Sequence, residues 1–281
     1  MSNTKTALVL GGGGSLGAIE VGFIKRLREL GCEFDLLVGT SVGALNASHV
    51  AFHEQDSHDC LSEVWQGLAG QRLYSRNPLQ LLASLRRSRL GLYDAGFLRR
   101  LIRAHLADDR IENARVPLRI TATDICSGER RVFASGSLTQ AVMASTAVPG
   151  LFPPVTIDGR MYVDGGVTSG GDIAAAVAEG ATTVVFIDLR PMFRDQCPRT
   201  VLEVITRSFE LLAEDRAACA AEHRDYPAEV VHIQPGLTSP RGDFSDAPRL
   251  LEESYRMACL ILDRCRVGGR FKAGHYHGAA A

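Results

Sequence analysis

Residues 36–44 read Leu-Leu-Val-Gly-Thr-Ser-Val-Gly-Ala, and this stretch decides the fold. A buried strand is predicted over residues 34–38, and helical composition follows over residues 42–52. Between them Gly39-Thr40-Ser41-Val42-Gly43 fits G-x-S-x-G, a pattern in which a sharp strand-to-helix turn holds a strained, exposed serine. Glycines on both sides of it lack a Cβ and permit close backbone approach. We therefore predict that Ser41 is a nucleophile; the plainer alternative is a serine that only caps the helix.

A second glycine-rich junction lies upstream, where a predicted strand over residues 6–10 runs into Gly11 to Gly14. Two interpretations compete for it. The stretch Gly12 to Gly17 fits G-x-G-x-x-G, which in dinucleotide-binding proteins seats a pyrophosphate, but the acidic candidate Asp35 precedes the next strand instead of ending it. The alternative is an oxyanion hole, in which exposed backbone N–H groups of the loop meet the charge that develops on an attacked carbonyl. The G-x-S-x-G pattern at the end of the very next strand favours the oxyanion hole.

A serine nucleophile needs a proton acceptor, and the histidines are poor candidates for that role. Each of them lies in a helix, a strand or the tail without a pattern typical of a catalytic base: His49, His53, His58, His105, His223, His232, His275 and His277. Asp164 is the better candidate, because it ends a predicted hairpin over residues 155–163 and precedes Gly165 and Gly166. Taken alone, Asp-Gly-Gly is also a common turn.

Strands and helices alternate along the chain, which predicts an α/β protein with a largely parallel central sheet flanked by helices. Further strands are expected over residues 116–123, 183–189 and 229–234, and helices over residues 138–145, 173–179, 198–222 and 248–265. No repeat or linker divides the sequence, so one domain is expected. In this division residues 6–190 form the core, residues 191–267 complete it, and residues 268–281 form a frayed tail.

The composition is that of an ordinary globular protein of 281 residues, with 46% hydrophobic residues, 22% charged residues and a formal charge of −1. The near-zero charge argues against a general nucleic-acid binder. No apolar run reaches the about 20 residues of a membrane-spanning helix, and no signal region is apparent at the N-terminus. The seven cysteines form no Cys-x-x-Cys pair, so they are interpreted as reduced thiols and not as a metal site. A cytoplasmic location without metal is the expectation.

These blocks together resemble the patatin-like phospholipase family over about residues 6–190. The glycine loop, G-x-S-x-G and Asp-Gly-Gly occur in the family's order, and residues 144–155 (Ala-Ser-Thr-Ala-Val-Pro-Gly-Leu-Phe-Pro-Pro-Val) resemble the segment that precedes its aspartate strand. The resemblance implies a three-layer fold and a serine acyl hydrolase that cleaves a lipid carboxylic ester, as a phospholipase A, lysophospholipase or esterase, without cofactor. It assigns Ser41 as nucleophile, Asp164 as general base and Gly12, Gly13 and Gly14 as the oxyanion hole. The remaining motif positions are Gly17, Gly39, Gly43, Gly165 and Gly166.

Two departures from the family pattern are visible. Leu16 stands where many members carry a basic residue, and Gly170 and Asp172 replace a common Asn and Pro. The first puts a preference for phospholipid head groups in question. A catalytically silent member of the fold and a transacylase, which passes the acyl group to an alcohol instead of water, stay open as alternatives.

An arginine-rich segment runs from Arg72 to Arg103. It holds eight arginines against the single acid Asp94, with leucines between them. This pattern is typical of a lid or of a surface that contacts anionic lipid from one side. The alternative is a solvated face paired with the acidic helix expected over residues 198–222.

Overall fold

The structure is a computed structural model. It describes residues 4–53, 57–69, 90–106, 110–190, 226–239 and 244–278, and the single residues 197, 204, 207, 208 and 211. Most of the helix expected over residues 198–222 and most of the arginine-rich segment therefore lie outside the described residues; residues 204, 207, 208 and 211 are described and helical.

A nine-stranded mixed sheet forms the centre of the described fold. Its strands, in chain order, are β1 (Thr6–Leu10), β2 (Leu36–Thr40), β3 (Leu118–Asp124), β4 (Arg130–Phe133), β5 (Val155–Ile157), β6 (Arg160–Asp164), β7 (Thr183–Ile187), β8 (Glu229–Gln234) and β11 (Gly274–His277). They lie in the order β11-β8-β7-β1-β2-β3-β6-β5, with β4 also paired to β3. The pairs from β11 to β3 are parallel, and β4, β5 and β6 add antiparallel pairs. A separate short hairpin joins β9 (Arg266–Val267) to β10 (Arg270–Phe271).

The described helices are α1 (Ala18–Glu29), α2 (Val42–Phe52), α3 (Ser57–Ala69), α4 (Gly96–His105), α5 (Leu138–Ser145), α6 (Ile173–Ala178) and α7 (Ala247–Cys265). They cover both faces of the sheet. Leu8 and Leu10 of β1 belong to a large apolar core with α1, α2, α3 and α7, whereas Ala7 and Val9 pack with α6 on the other face. This alternation is the period of two expected for a strand that is buried on both sides. The α/β fold class predicted from the sequence is thus confirmed.

Several predicted elements agree closely with the structure. Helix α5 and strand β8 have the predicted bounds, and β2 begins and ends two residues later than predicted. The predicted hairpin of β5 and β6 is present, with positive φ angles of 48° at Asp158 and 77° at Gly159. Positive φ at both central residues is what a two-residue hairpin turn of this hand requires.

The prediction of a frayed tail over residues 268–281 is wrong for the part that the structure describes. β11 pairs in parallel with β8 at the edge of the sheet, and His275 lies opposite His232. The sequence pattern missed this strand because Gly-His-Tyr-His contains no apolar run; its pairing depends on a neighbour more than 40 residues away. Within the described part of the chain no helix has the length and apolarity needed to span a membrane.

Candidate active site

Ser41 occupies a tight turn between β2 and α2. Its backbone has φ 54° and ψ −124°, a conformation that residues with a side chain rarely adopt. The two motif glycines permit this turn by their lack of a Cβ. A Cβ on Gly39 would lie 2.5 Å from Ala44 Cα, and one on Gly43 would lie 2.3 Å from the Leu10 carbonyl oxygen. The G-x-S-x-G pattern therefore reflects backbone packing on both sides of the serine.

Ser41 and Asp164 are brought together by the sheet although 123 positions separate them. Asp164 ends β6, which pairs with β3, and β3 pairs with β2 just before Ser41. The hydroxyl of Ser41 donates a hydrogen bond of 2.6 Å to Oδ2 of Asp164, and both residues are buried. Of the residues chosen from the sequence, the expected nucleophile and the expected base thus lie in direct contact.

The environment of Asp164 favours a carboxyl group that titrates near neutrality. Burial raises its pKa to about 7, against the smaller opposing effects of hydrogen bonds from the Ser41 hydroxyl and the Gly166 N–H. The Gly166 N–H lies 2.8 Å from Oδ1 and fixes the orientation of the carboxyl group. A group with this pKa is half deprotonated near pH 7, which suits a general base.

The glycine loop passes directly over Ser41, since a Cβ on Gly12 would lie 3.3 Å from Ser41 Cβ. One of the expected oxyanion donors, the N–H of Gly12, donates a 2.9 Å hydrogen bond to the carbonyl oxygen of Gly170. The N–H groups of Gly13 and Gly14 donate to no other described residue. The same holds for the N–H of Val42, at the start of α2, where helix geometry leaves donors unused.

The two departures from the family pattern have structural explanations. Leu16 is buried in the apolar core beside α1 and α2, so this position contributes no charge to the site. The Gly170 carbonyl anchors Gly12, as described above. Asp172 caps α6 through the Ala175 N–H, accepts a 2.8 Å hydrogen bond from the Thr121 hydroxyl and forms an ion pair with Arg130.

Sequence reasoning missed a buried network behind the loop. Asn46 of α2 donates hydrogen bonds to the Glu20 carboxyl at 2.7 Å and to the Gly17 carbonyl oxygen at 3.0 Å, and it accepts one from the Trp65 indole at 3.0 Å. Gly17 itself is close to Trp65, because a Cβ there would lie 2.6 Å from the indole ring. The only sequence signal was the presence of polar residues inside two otherwise apolar helix faces.

Sequence reasoning also passed over Ser145, although it lies in the quoted 144–155 segment. Its hydroxyl accepts a 2.8 Å hydrogen bond from the Ser41 N–H and donates one of 2.6 Å to the Thr121 carbonyl oxygen. Ser145 is fully buried at the end of α5. The sequence motif identified the segment but not this contact.

No histidine whose side chain the structure describes is hydrogen-bonded to Ser41 or Asp164. His232 instead lies 2.8 Å from the buried Asp188 carboxyl and 2.8 Å from His275, on strands β8 and β11. Its ring also stacks on Phe186. The interpretation of the histidines as poor candidates for the base agrees with this placement.

The site combines a buried serine in a strand-to-helix turn with a buried carboxyl group that accepts its hydrogen bond, both on an α/β sheet. This combination is the basis for assigning the chain to a class of protein. The family model that matches this chain is that of the patatin-like phospholipases, and it covers residues 8–177, more than half of the chain. The chain belongs to the patatin-like phospholipase family.

Curated relatives agree with this assignment. The mouse "Patatin-like phospholipase domain-containing protein 6" is 31% identical over 191 residues, which are 67% of this chain and 14% of that protein. An uncharacterized NTE family protein of Mycobacterium bovis is 30% identical over 213 residues, which are 73% of this chain and 56% of that protein. The chain therefore spans only a small part of the first relative and about half of the second.

Similar solved structures are more distant. VipD from Legionella pneumophila matches with 15% identity and a TM-score of 0.47, over 93% of this chain and 67% of that chain. The type III effector protein ExoU matches with 13% identity and a TM-score of 0.39, over 93% of this chain and 53% of that chain.

Proposed function

We propose that this protein is a serine acyl hydrolase that cleaves a carboxylic ester bond of a lipid. The hydrogen bond of 2.6 Å between the Ser41 hydroxyl and the Asp164 carboxyl carries the proposal, because it pairs a hydroxyl nucleophile with a base that titrates near pH 7. Membership of the patatin-like phospholipase family supports a lipid as the source of the ester.

In the first half of the reaction, Asp164 takes the proton from the Ser41 Oγ as this oxygen attacks the ester carbonyl carbon. The tetrahedral intermediate collapses, the bond to the alcohol breaks, and the alcohol leaves with the proton returned by Asp164. The acyl group is then bonded to Ser41. In the second half Asp164 takes a proton from water, the water oxygen attacks the acyl-enzyme, and the carboxylic acid leaves while Ser41 regains its proton.

The negative charge of the tetrahedral intermediates needs hydrogen-bond donors beside Ser41. We assign this role to the N–H groups of Gly13 and Gly14, with Val42 at the start of α2 as a further donor. None of these three N–H groups has a partner among the described residues, whereas the N–H of Gly12 is bonded to Gly170. The positive end of the α2 dipole adds to the stabilisation of the charge.

The dinucleotide-binding alternative fits the loop poorly. The Asp35 carboxyl, which would have to bind a ribose, instead accepts a 2.7 Å hydrogen bond from the Thr6 N–H at the start of β1. Asp35 thus lies at the end of the parallel strands opposite to Ser41. We do not retain this function as a second candidate.

Labelling with a lipophilic fluorophosphonate, followed by intact-mass analysis, tests the proposed function. We expect one adduct on the wild type, none on Ser41→Ala and a strongly slowed adduct on Asp164→Asn. Ser48→Ala is the matched control, because Ser48 is a buried serine on α2 whose hydroxyl, among the described residues, bonds to the Ala44 carbonyl oxygen alone. It should label like the wild type.

Product analysis with lysophospholipid and with neutral monoacyl esters follows from the same proposal. Release of free fatty acid identifies a hydrolase, whereas transfer to an added alcohol identifies the transacylase alternative. A folded wild type that forms no adduct and releases no fatty acid would contradict the proposal in favour of the silent alternative.

We also propose peripheral contact with anionic membranes through the arginine-rich segment. The described part of it, residues 90–103, includes most of α4, which buries Ile102 while Arg99, Arg100 and Arg103 are exposed. Replacement of these three arginines by Gln should weaken sedimentation with phosphatidylserine vesicles, and 0.5 M salt should do the same to the wild type, since such binding is screened. The control replaces Arg256, Arg264 and Arg270, which are exposed elsewhere. Equal loss in both triple variants would contradict a role for α4.

A further inference from the structure

The backbone of Ser41 is held in a conformation that costs free energy. A non-glycine residue at φ 54° and ψ −124° lies outside the regions that side chains tolerate, and the conformation is strained. Such a conformation persists only where the surroundings fix it. The flanking glycines make room for the turn, but they do not by themselves select it. A specific contact to the Ser41 backbone is therefore required.

Ser145 provides this contact. Its hydroxyl accepts the Ser41 N–H at 2.8 Å and donates to the Thr121 carbonyl oxygen at 2.6 Å, so both hydrogen-bonding capacities point in defined directions. The residue is fully buried, which leaves no water to replace either bond. One side chain thus joins the end of α5, the strand β3 and the turn that presents the serine hydroxyl.

The same hydroxyl is connected to the other member of the pair. The Thr121 carbonyl oxygen lies against Gly165, the residue after Asp164, since a Cβ on Gly165 would lie 2.3 Å from it. The neighbouring residue Ala122 is the register partner of Asp164 in the sheet. Through these contacts Ser145 connects the backbone that carries the Ser41 hydroxyl to the strand that lies beside the Asp164 carboxyl group.

We propose that Ser145 is a positioning residue that holds the Ser41 turn in register with Asp164. This inference rests on the proposed function, because it assigns Ser145 to the same reaction. Without its hydroxyl the buried Ser41 N–H loses its acceptor and the Thr121 carbonyl oxygen loses one donor, and the peptide between Thr40 and Ser41 is released to turn toward a relaxed conformation. A displacement of the nucleophile by about 1 Å is sufficient for a loss of about 100-fold in rate.

Ser145→Ala tests the proposal, with Ser48→Ala as the matched control. Both changes remove a hydroxyl from a fully buried serine, and the Ser48 hydroxyl bonds within its own helix to the Ala44 carbonyl oxygen at 2.6 Å. We expect both variants to fold, with the larger loss of thermal stability in Ser145→Ala, because only this change leaves the buried Ser41 N–H without an acceptor. Only Ser145→Ala should lower kcat, by about 100-fold, with KM within about twofold of the wild type. Ser145→Thr, which keeps the hydroxyl, should recover a large part of the rate.

A second readout does not depend on any activity. Hydrogen exchange of the Ser41 amide, followed in peptides that cover residues 39–44, should become faster in Ser145→Ala and stay unchanged in Ser48→Ala. Unchanged exchange of this amide in a folded Ser145→Ala would overturn the proposal. An equal loss of kcat in both variants would also overturn it, because the effect would then be one of general packing. A further outcome separates this proposal from the proposed function. If the wild type shows no activity but the Ser41 amide exchanges faster in Ser145→Ala, then Ser145 does hold the turn and the proposed function is contradicted.

Discussion

The side-chain amide of Asn46 lies 2.7 Å from the carboxyl group of Glu20, and neither residue is exposed to solvent. Asn46 belongs to the helix that follows Ser41, and Glu20 belongs to the helix that follows the glycine loop. The pair therefore fixes the two chain segments that meet at the candidate site relative to each other. Burial raises the pKa of Glu20 well above its usual value, against weaker opposing hydrogen bonds, and so favours the protonated form of its carboxyl group.

Glu20→Gln should for this reason have little effect on stability, because an amide has nearly the shape of a protonated carboxyl group. Glu20→Leu should lower the free energy of unfolding by about 1–3 kcal/mol, since the Asn46 amide then loses a buried acceptor. Urea denaturation measures both values. A loss of the same size in Glu20→Gln would show that the charged carboxylate is the stabilising form.

The rate of fluorophosphonate labelling should rise with pH through about 7, because only the deprotonated Asp164 accepts the Ser41 proton. Between pH 6 and pH 8 we expect an increase of about tenfold, followed by a plateau. The measurement is the labelling rate, corrected for probe hydrolysis in buffer. A profile that is flat from pH 5 to pH 8 would contradict the assignment of Asp164 as base.

Stability should change in the opposite direction over the same range. The pKa of Asp164 is about 7 in the folded chain, against an ordinary value of about 3.8 for an aspartate in the unfolded chain, so between these pH values the folded state binds more protons than the unfolded state. The contribution of Asp164 to stability is therefore full below about pH 4 and is lost as the pH rises through 7. The unfolding free energy of the wild type minus that of Asp164→Asn should therefore fall as the pH rises from about 4 to about 7. A value that rises over this range would contradict the prediction.

Ser41→Gly should be more stable than Ser41→Ala by about 1 kcal/mol, although glycine is usually the less stabilising residue. Both variants lose the hydrogen bond to Asp164, and only alanine retains the strain of a side chain at φ 54°. Thermal unfolding of the two inactive variants measures the difference. If the alanine variant were the more stable one, the turn would not be strained.

Gly13→Ala should slow labelling at least tenfold, because its Cβ would lie 2.7 Å from the Cβ of Leu189 and the loop would have to move. The control is Gly67→Ala on α3, where a Cβ meets no atom within 4 Å. That variant should label normally and gain up to about 1 kcal/mol of helix stability. Normal labelling of Gly13→Ala would remove Gly13 from the proposed oxyanion donors.

The strand-to-helix turns were predictable from the sequence because their requirements are local. A short apolar run that ends in glycines and is followed by helical spacing allows few conformations, and G-x-S-x-G specifies a turn whose neighbours leave no room for a Cβ. The same locality explains why the hairpin turn at Asp158 and Gly159 and the bounds of α5 were predicted well. The residues of β11 carry no such local pattern, and their pairing with β8 could not be foreseen.

The sequence by itself therefore determined the α/β class, the family and the candidate residues Ser41 and Asp164. The tertiary structure decided how they are connected. Three neighbouring strands bring the hydroxyl of Ser41 and the carboxyl group of Asp164 to 2.6 Å from each other. The Gly12 N–H donates to the Gly170 carbonyl oxygen, and the Ser41 N–H donates to the hydroxyl of Ser145. Each of these contacts joins residues more than 100 positions apart. The physical reason is that local patterns fix backbone conformation, whereas the partner of a buried polar group depends on which strands the folded sheet brings side by side.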